Sequence, residues 1–573
     1  MEKQAPPILN IENLKIGFDA ANEDLCAVDG ISFQIKTNQI VGVVGESGSG
    51  KSITALSVLR LLNEPPAHYP HGIISLMDGE NEVDILAMSK TKMNSIRGKV
   101  ASVIFQEPMT SLNPSMRCGK QVVEAIMAHQ NISKKEAYKK TIELFDEVAL
   151  PRAEKIFKSY PHEISGGQKQ RVMIAMALSS NPSLLIADEP TTALDVTVQK
   201  TILNLLKELK DKYSMSILFI THDLGVVSDI ADEIIVMYKG EIVERGRTKD
   251  VFHNPQHSYT KGLLHCRPSL NTRPRRLATI SDFMNFKDVL EVESFEDERD
   301  RRAKQHKEIY SQEPILRVKS ISKEYALSRT ILGKPKEVLR AVNNLSFEIY
   351  KGETLGLVGE SGCGKTTLGR TLMRLIEPDG GEIFYKGQNI TSLKSSDLKK
   401  FRKTVQIIFQ DPYSSLNPRI PIGEAIMEPM KIHNVFSTYK ERREYAIYLL
   451  ERVSLGEEHF DRYPHEFSGG QRQRVCIARA LSLKPELIIC DESVSALDVS
   501  VQAQVLNLLN DLKEDFGLTY IFISHDLSVV KYMSDRMMVM KDGNIVEFDE
   551  ADAIYANPKT EYTKNLIGSI PGA

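Results

Sequence analysis

Residues 45–52 read Gly-Glu-Ser-Gly-Ser-Gly-Lys-Ser, and residues 359–366 read Gly-Glu-Ser-Gly-Cys-Gly-Lys-Thr. Both fit G-x-x-x-x-G-K-[ST], the pattern of a phosphate-binding loop. Glycines let the backbone N–H groups of such a loop turn inward around a di- or triphosphate. The candidate phosphate ligands are Gly45, Ser47, Gly48, Gly50, Lys51 and Ser52, and then Gly359, Ser361, Gly362, Gly364, Lys365, Thr366 and Thr367. The lysines reach the β/γ-phosphates, and the Ser52 and Thr366 hydroxyls suit Mg²⁺. Each loop follows a five-residue apolar run, 40–44 or 354–358, that reads as a buried parallel strand. After the first loop, Ile53, Leu56, Val58, Leu59 and Leu62 form a mostly apolar helix whose N-terminus faces the phosphates. One match could be coincidence; two in matching contexts are not. The chain binds nucleotide twice.

The loops belong to a duplication of the whole chain. Gln106 and Gln410 differ by 304 in number; Ser165 and Ser468, Asp188 and Asp491, His222 and His525, and Tyr259 and Tyr562 each differ by 303. The loop lysines differ by 314, so the first half carries about ten extra residues before its glutamine. The stretch 65–84, with its prolines and glycines, reads as a surface insertion. The repeat divides the chain into a first domain (1–266), a charged linker (267–313) and a second domain (314–573). The linker holds Arg273-Pro274-Arg275-Arg276 and a dense mixed-charge run from Glu291 to Lys307. It reads as a connector, with a short helix lying on one domain as the other reading.

Length fits two to four domains: 573 residues exceed one ordinary core. At 42% hydrophobic and 26% charged residues the composition is that of a soluble globular protein. No run of 18 apolar residues offers a membrane span, and the first residues lack a signal-peptide pattern. A net charge of −3 gives no general attraction for nucleic acid. The six cysteines form no C-x-x-C pair, which argues against zinc or iron–sulfur sites and for a reducing, cytoplasmic setting.

Further polar groups sit at the ends of apolar runs in both halves. Val103-Ile104-Phe105 ends in Gln106, and Ile407-Ile408-Phe409 in Gln410; such an amide can touch Mg²⁺ or its attacking water, or simply lie on the surface. Ser165-Gly166-Gly167-Gln168 and Ser468-Gly469-Gly470-Gln471 each open a helix, as an anion site or as an ordinary N-cap. Asp188-Glu189 and Asp491-Glu492 end four-residue apolar strands. The first acid suits the Mg²⁺ shell, and the second suits orienting and deprotonating a water aimed at the γ-phosphate. His222 and His525 close later strands, where a γ-phosphate contact competes with a structural role. Phe18 and Tyr325 either stack on adenine or pack as core or edge aromatics. Helix-rich stretches running to about 164 and 467 read as inserted helical subdomains.

This ordered set resembles the ATP-binding subunits of ABC transporters over nearly the whole chain except the linker. Phosphate loop, Q-loop glutamine, Ser-Gly-Gly-Gln signature, Asp-Glu pair, Ala-Leu-Asp D-loop (193–195 and 496–498) and switch histidine all occur twice. The Ser-Leu-Asn-Pro runs (111–114 and 415–418) and the Asn-Pro…Tyr-Thr motifs (254–260 and 557–563) are similar to those of the dipeptide/oligopeptide/nickel importers, in a fused form like the microcin C/peptide and glutathione importers. Ile164 and Phe467 stand where leucine is commonest, and Ser493 where the first half has Pro190. Neither departure removes a chemical group.

The resemblance implies an α/β fold of two tandem phosphate-loop ATPase domains, each a mixed β-core with an inserted helical subdomain. It implies ATP and Mg²⁺ as cofactors. Ser52, Gln106, Asp188, Thr366, Gln410 and Asp491 belong to the metal shells, and Glu189, Glu492, His222, His525, Gln106 and Gln410 to catalysis. The halves are expected to close head-to-tail, with ATP between one loop and the other half's signature. Implied partners are two polytopic permease subunits and an extracytoplasmic solute-binding protein, without nucleic acid, at the cytoplasmic face of the inner membrane. Peptide uptake is the leading expectation. Nickel or glutathione uptake by the same machinery, and a soluble twin ATPase acting on ribosomes or nucleic acid, are the alternatives.

Overall fold

The computed structural model describes residues 6–19, 24–106, 111–192, 194–270, 272–285, 295–329 and 335–570. Residues 107–110 before the first Ser-Leu-Asn-Pro run, Ala193 of the first D-loop and 286–294, which include the start of the charged run, lie outside the described residues.

The first half contains β1 (Leu9–Asp19), β2 (Asp24–Ile35), β3 (Ile40–Val44), β4 (Ala67–Asp78), β5 (Asn81–Asp84), β6 (Ala101–Ile104), β7 (Leu184–Asp188), β8 (Ser216–Thr221), β9 (Glu233–Tyr238) and β10 (Glu241–Arg247). They form an antiparallel sheet in the order β2-β1-β4-β5 and a mostly parallel one in the order β10-β9-β3-β8-β7-β6. β3, β7 and β8 are buried at every position. That burial is why they read as continuous apolar runs rather than alternating ones. The second half repeats the plan with β11 (Pro314–Arg329), β12 (Pro335–Tyr350), β13 (Thr354–Val358), β14 (Gly380–Tyr385), β15 (Gln388–Asn389), β16 (Val405–Ile408), β17 (Leu487–Asp491), β18 (Thr519–Ile523), β19 (Arg536–Lys541) and β20 (Asn544–Glu550). Its sheet orders are β12-β11-β14-β15 and β16-β17-β18-β13-β19-β20. The expected mixed β-core, present twice, is borne out.

Between β6 and β7 lie the helices Cys118–His129, Lys134–Glu147 and Ala153–Lys158; between β16 and β17 lie Ile422–Ile432 and Tyr439–Arg452. Ser133 with Glu136, and Thr438 with Glu441, form reciprocal capping boxes that start the second helix of each group.

The expected surface insertion at 65–84 is corrected. Ala67–Asp78 is a strand of the antiparallel sheet, paired to β1 from Ala67 opposite Phe18 to Leu76 opposite Leu9, with Ile74 and Leu76 buried. Gly72 and Gly381 occupy the same bend, at φ 114° and 87°, where a Cβ would strike the backbone of Leu14 or Ser320. These glycines are 309 apart, between the loop offset of 314 and the glutamine offset of 304. The extra residues are therefore split: some lengthen β4 at its start, and the rest lengthen the β4–β5 hairpin and its exit. Alternating apolar residues bury one face of the strand, so it is sheet rather than loop.

The described residues after 266 are packed, not free. Arg273 is buried, its Nε donating to the Tyr532 carbonyl at 2.9 Å and its Nη2 to that of Ser534 at 2.6 Å. Leu277 and Asn507 exchange two hydrogen bonds of 2.9 Å. Helix Ile280–Asn285 rests on helix Ser258–His265, where Gly262 leaves room for Ile280. Helix Phe295–Ile309 lies on the second half through Arg302 to Asp552 and His306 to Asp535, both at 3.2 Å.

Arg273→Ala removes two buried hydrogen bonds, a loss of about 2 kcal/mol. Limited proteolysis between residues 267 and 313 is expected to quicken by on the order of tenfold. An unchanged cleavage rate would show that Arg273 does not anchor the segment.

Candidate functional site

Parallel strands deliver their C-terminal residues to one edge of a sheet. β3 ends at the first phosphate loop, β7 at Asp188, β8 beside His222 and β6 beside Gln106. β13, β17, β18 and β16 do the same for the second loop, Asp491, His525 and Gln410. The loops need glycine: Gly50 and Gly364 have φ of 97° and 109°, and a Cβ on Gly364 would lie 1.9 Å from the Ala341 carbonyl oxygen. Lys51 Nζ donates to the carbonyls of Gly45 (2.8 Å) and Glu46 (2.7 Å), and Lys365 Nζ to those of Gly359 (2.7 Å) and Glu360 (2.9 Å).

Behind each lysine the strand-end groups converge. Ser52 Oγ donates to Asp188 Oδ1, and Thr366 Oγ1 to Asp491 Oδ1, both at 2.9 Å. Gln106 Nε2 donates to Glu189 Oε2 at 3.0 Å, and Gln410 Nε2 to Glu492 Oε2 at 2.8 Å. His222 Nδ1 lies 3.2 Å from Glu189 Oε2, and His525 Nδ1 lies 3.4 Å from Glu492 Oε2. Glu189 and Glu492 have left-handed backbones, φ 47° and 50°, a strain expected only where the surroundings enforce it.

The adjacent carboxylates are driven apart electrostatically. Burial pushes Asp188 up to about 6, with the Ser52 hydrogen bond opposing and the Glu189 charge adding. Burial also disfavours ionised Glu189, but His222, Thr192 and Lys51 outweigh it and hold the carboxyl at about 2. Burial depresses the His222 imidazole, yet Glu189 foremost raises it above its ordinary value. Asp491 is raised chiefly by burial, and Glu492 is lowered by His525 against burial.

A cavity of about 440 Å³ opens in front of the second loop. Gly362, Gly364, Lys365, Thr366, Thr367, Tyr325, Gln410, Glu492 and His525 line it, joined by Thr192 and Asp195 of the first half. Tyr325 is thus on the cavity wall, whereas Phe18 is half-buried against the first-half core. Ser165–Gln168 stand outside that lining. In each half the signature serine and glutamine form a reciprocal cap: Ser165 N donates to Gln168 Oε1 at 3.1 Å and Gln168 N to Ser165 Oγ at 3.3 Å, matched at Ser468 and Gln471 by 3.0 and 3.3 Å. The helices Gly166–Leu178 and Gly469–Leu481 start there, with Gly167 and Gly470 held close to Val198 and Val501.

Several site contacts were not foreseen from sequence. Glu46 N donates to Tyr259 Oη at 2.9 Å, and Glu360 N to Tyr562 Oη at 3.1 Å, so each tyrosine braces the start of a loop. Their shared offset marked them as repeat landmarks without giving a role. Thr192 Oγ1 donates to Glu189 Oε2 at 2.9 Å, while its counterpart Ser495 donates to the Glu492 carbonyl, also at 2.9 Å. The D-loops reach the opposite loops: Ser47 N donates to Asp498 Oδ2 at 3.0 Å, Ser361 N to Asp195 Oδ2 at 3.4 Å, and Thr197 Oγ1 to Glu360 Oε1 at 3.0 Å. Ser500 makes the matching contact with Glu46.

Two nucleotide-binding edges with paired carboxylates, glutamine and histidine are the marks of an ATP-binding cassette present twice. The ABC transporter family matches residues 28–192 and 342–495. The chain belongs to the ATP-binding proteins of the ABC transporters, which bind ATP and are ATPases coupled to transport. Its branch follows from a second match, to the oligopeptide/dipeptide transporter C-terminal region, at residues 243–285 and 546–573. Over 578 aligned residues the chain is 46% identical to the glutathione import ATP-binding protein GsiA of Escherichia coli K12, covering 100% of this chain and 91% of that one. GsiA of Shigella dysenteriae serotype 1 gives the same figures. The dimeric bacterial ABC transporter cassette MJ0796 is 28% identical over 41% of this chain and 98% of its own, with a TM-score of 0.38. Importer ATPases of this family work with membrane permeases, and among the described residues no helix is long and apolar enough to cross a membrane.

Replacing His222 with glutamine removes the charge that offsets the burial of Glu189. In a background carrying Glu492→Gln, the acid limb of the pH–rate profile is expected to move to higher pH, because Glu189 then takes up its proton sooner. An unmoved limb would exclude His222 from control of Glu189.

Proposed function

We propose that this chain is the energising subunit of an importer for peptides or peptide-like solutes such as glutathione, lying against the cytoplasmic face of the inner membrane. Two polytopic permease subunits form the channel, and an extracytoplasmic binding protein delivers the solute. The observation that carries this reading is the duplicated strand-end constellation joined to two copies of the oligopeptide/dipeptide C-terminal region. Nothing favours the ribosome- or nucleic-acid-directed alternative.

Lys51 and Lys365, with the loop N–H groups, bind and orient the phosphates. The paired oxygens of Ser52 with Asp188, and of Thr366 with Asp491, are hard donors of the kind Mg²⁺ takes. A cation there offsets the cost of burying two neighbouring carboxylates. Gln106 and Gln410, bonded to Glu189 and Glu492, are the further amide oxygens that would join that shell. Bound Mg²⁺ supplies charge stabilisation to the phosphates. Glu189 and Glu492 orient the attacking water and accept its proton, each positioned by its glutamine and histidine. Ionised at neutral pH, Glu189 is ready to accept. Tyr325 stacks on adenine at the second site, and Phe18 has that place at the first. The halves close head-to-tail, bringing Ser468–Gln471 to the first nucleotide and Ser165–Gln168 to the second. The D-loop contacts support such a pairing, because each crosses to the loop of the other half. Domain bounds of 1–266 and 314–573, with 267–313 between, follow the repeat.

Glu189→Gln with Glu492→Gln is expected to cut ATP hydrolysis by on the order of a hundredfold or more while leaving ATP binding within about threefold. Hydrolysis at the parent rate would remove both glutamates from the base role. A gentle-detergent pull-down of the full chain from native membranes is expected to bring two polytopic proteins. Ribosomal subunits instead would overturn the importer reading.

A further inference from the structure

Between the two switch loops lies a cavity of about 90 Å³, separate from the nucleotide-facing one. His222 and Asp223 of the first half and His525 and Asp526 of the second line it, together with Arg267 and Ile570. Asp223 and Asp526 follow the two switch histidines directly and N-cap the helices Leu224–Ile230 and Leu527–Met533. Asp223 Oδ1 accepts from Gly225 N at 2.8 Å, and Asp526 Oδ1 from Ser528 N at 2.9 Å. Two like charges, one per half, thus face a common space, and each directly follows a histidine that positions a catalytic glutamate.

Among the described residues lining the cavity, the guanidinium that answers them is that of Arg267. Arg267 Nη1 lies 3.2 Å from Asp223 Oδ1. Asp223 foremost, then, against burial, Asp526 and Asp229 hold its guanidinium above the ordinary arginine value. The backbone just beyond Arg267 is held by the second half: Lys531 Nζ donates to the Leu270 carbonyl. Three residues later Arg273 is anchored on Tyr532 and Ser534. The residue 303 positions on is Ile570, so the duplicated position carries no charge.

We propose that Arg267 is a positioning residue that bridges Asp223 and Asp526, and so couples the two switch loops and the two ATP sites. Without it, bringing the halves together sets two half-buried carboxylates against each other across a shared cavity. Charge neutralisation there favours the paired arrangement in which both nucleotides bind. This rests on the ATPase reading above and adds a residue that the cassette motifs do not include.

The test is steady-state ATP hydrolysis by the purified full chain. Arg267→Gln is expected to raise KM for ATP by on the order of three- to tenfold, the range of coupling between neighbouring charged groups, and to flatten the dependence of rate on ATP toward a Hill coefficient of one. Arg267→Gln with Asp526→Asn is expected to recover most of the loss, because asparagine still caps the helix but no longer repels Asp223. A structural gap left by Arg267 would not be mended that way. Unchanged KM and cooperativity in the single variant, or no recovery in the double, would overturn the proposal. If Arg267→Gln does not fold, Arg267→Lys serves instead: it keeps the charge and is expected to hold KM within about twofold, and a larger rise would overturn the charge-bridging role. A parent chain that hydrolyses no ATP would strike the ATPase reading itself, whereas an active parent with an indifferent Arg267→Gln strikes this proposal alone.

Discussion

Two carboxylates in sequence at the end of a buried strand are costly unless something divides the burden between them. In each half the division is made by what stands on either side. Burial drives Asp188 toward protonation against the Ser52 hydrogen bond, while Glu189, facing His222 and Thr192, is kept ionised. The order of the parallel sheet, the position of the loop and the placement of the glutamine and histidine all serve that arrangement. Shifting any one strand by a residue would send its terminal group to the other face.

Much of this could be read in the chain before any fold was known, for a simple reason. A parallel sheet gathers strand ends, so a polar residue closing each apolar run has only one edge to occupy. Gln106, Asp188, Glu189 and His222 were legible on that ground, and the second copy removed coincidence. The signature serines were legible as caps, and the reciprocal bonds of Ser165 with Gln168 fill that role.

What stayed hidden depends on partners distant in sequence. Arg273, in a basic and proline-containing stretch, looked solvated; it is buried because Tyr532 and Ser534, some 260 residues on, present carbonyls that satisfy it. The lengthened β4 looked like a loop because its glycine bend and its prolines masked an alternation that only pairing with β1 brings out. Tyr259 and Tyr562 carried no chemical signature, since a phenol accepting a loop N–H is recognised only when both are placed in space. The D-loop contacts were hidden for the same reason.

The asymmetry at positions 267 and 570 has a consequence for how such proteins can diverge. Two identical subunits meeting on a twofold axis must contribute every charge in duplicate, so the axis can hold only an even number of guanidinium groups. A fused pair escapes that parity. Arg267, with Ile570 at the duplicated position, sets one guanidinium against two acids, an odd number that a symmetric homodimer cannot hold. Fusion thereby releases the positions nearest the axis, which in a homodimer are the most constrained, to vary independently in each half.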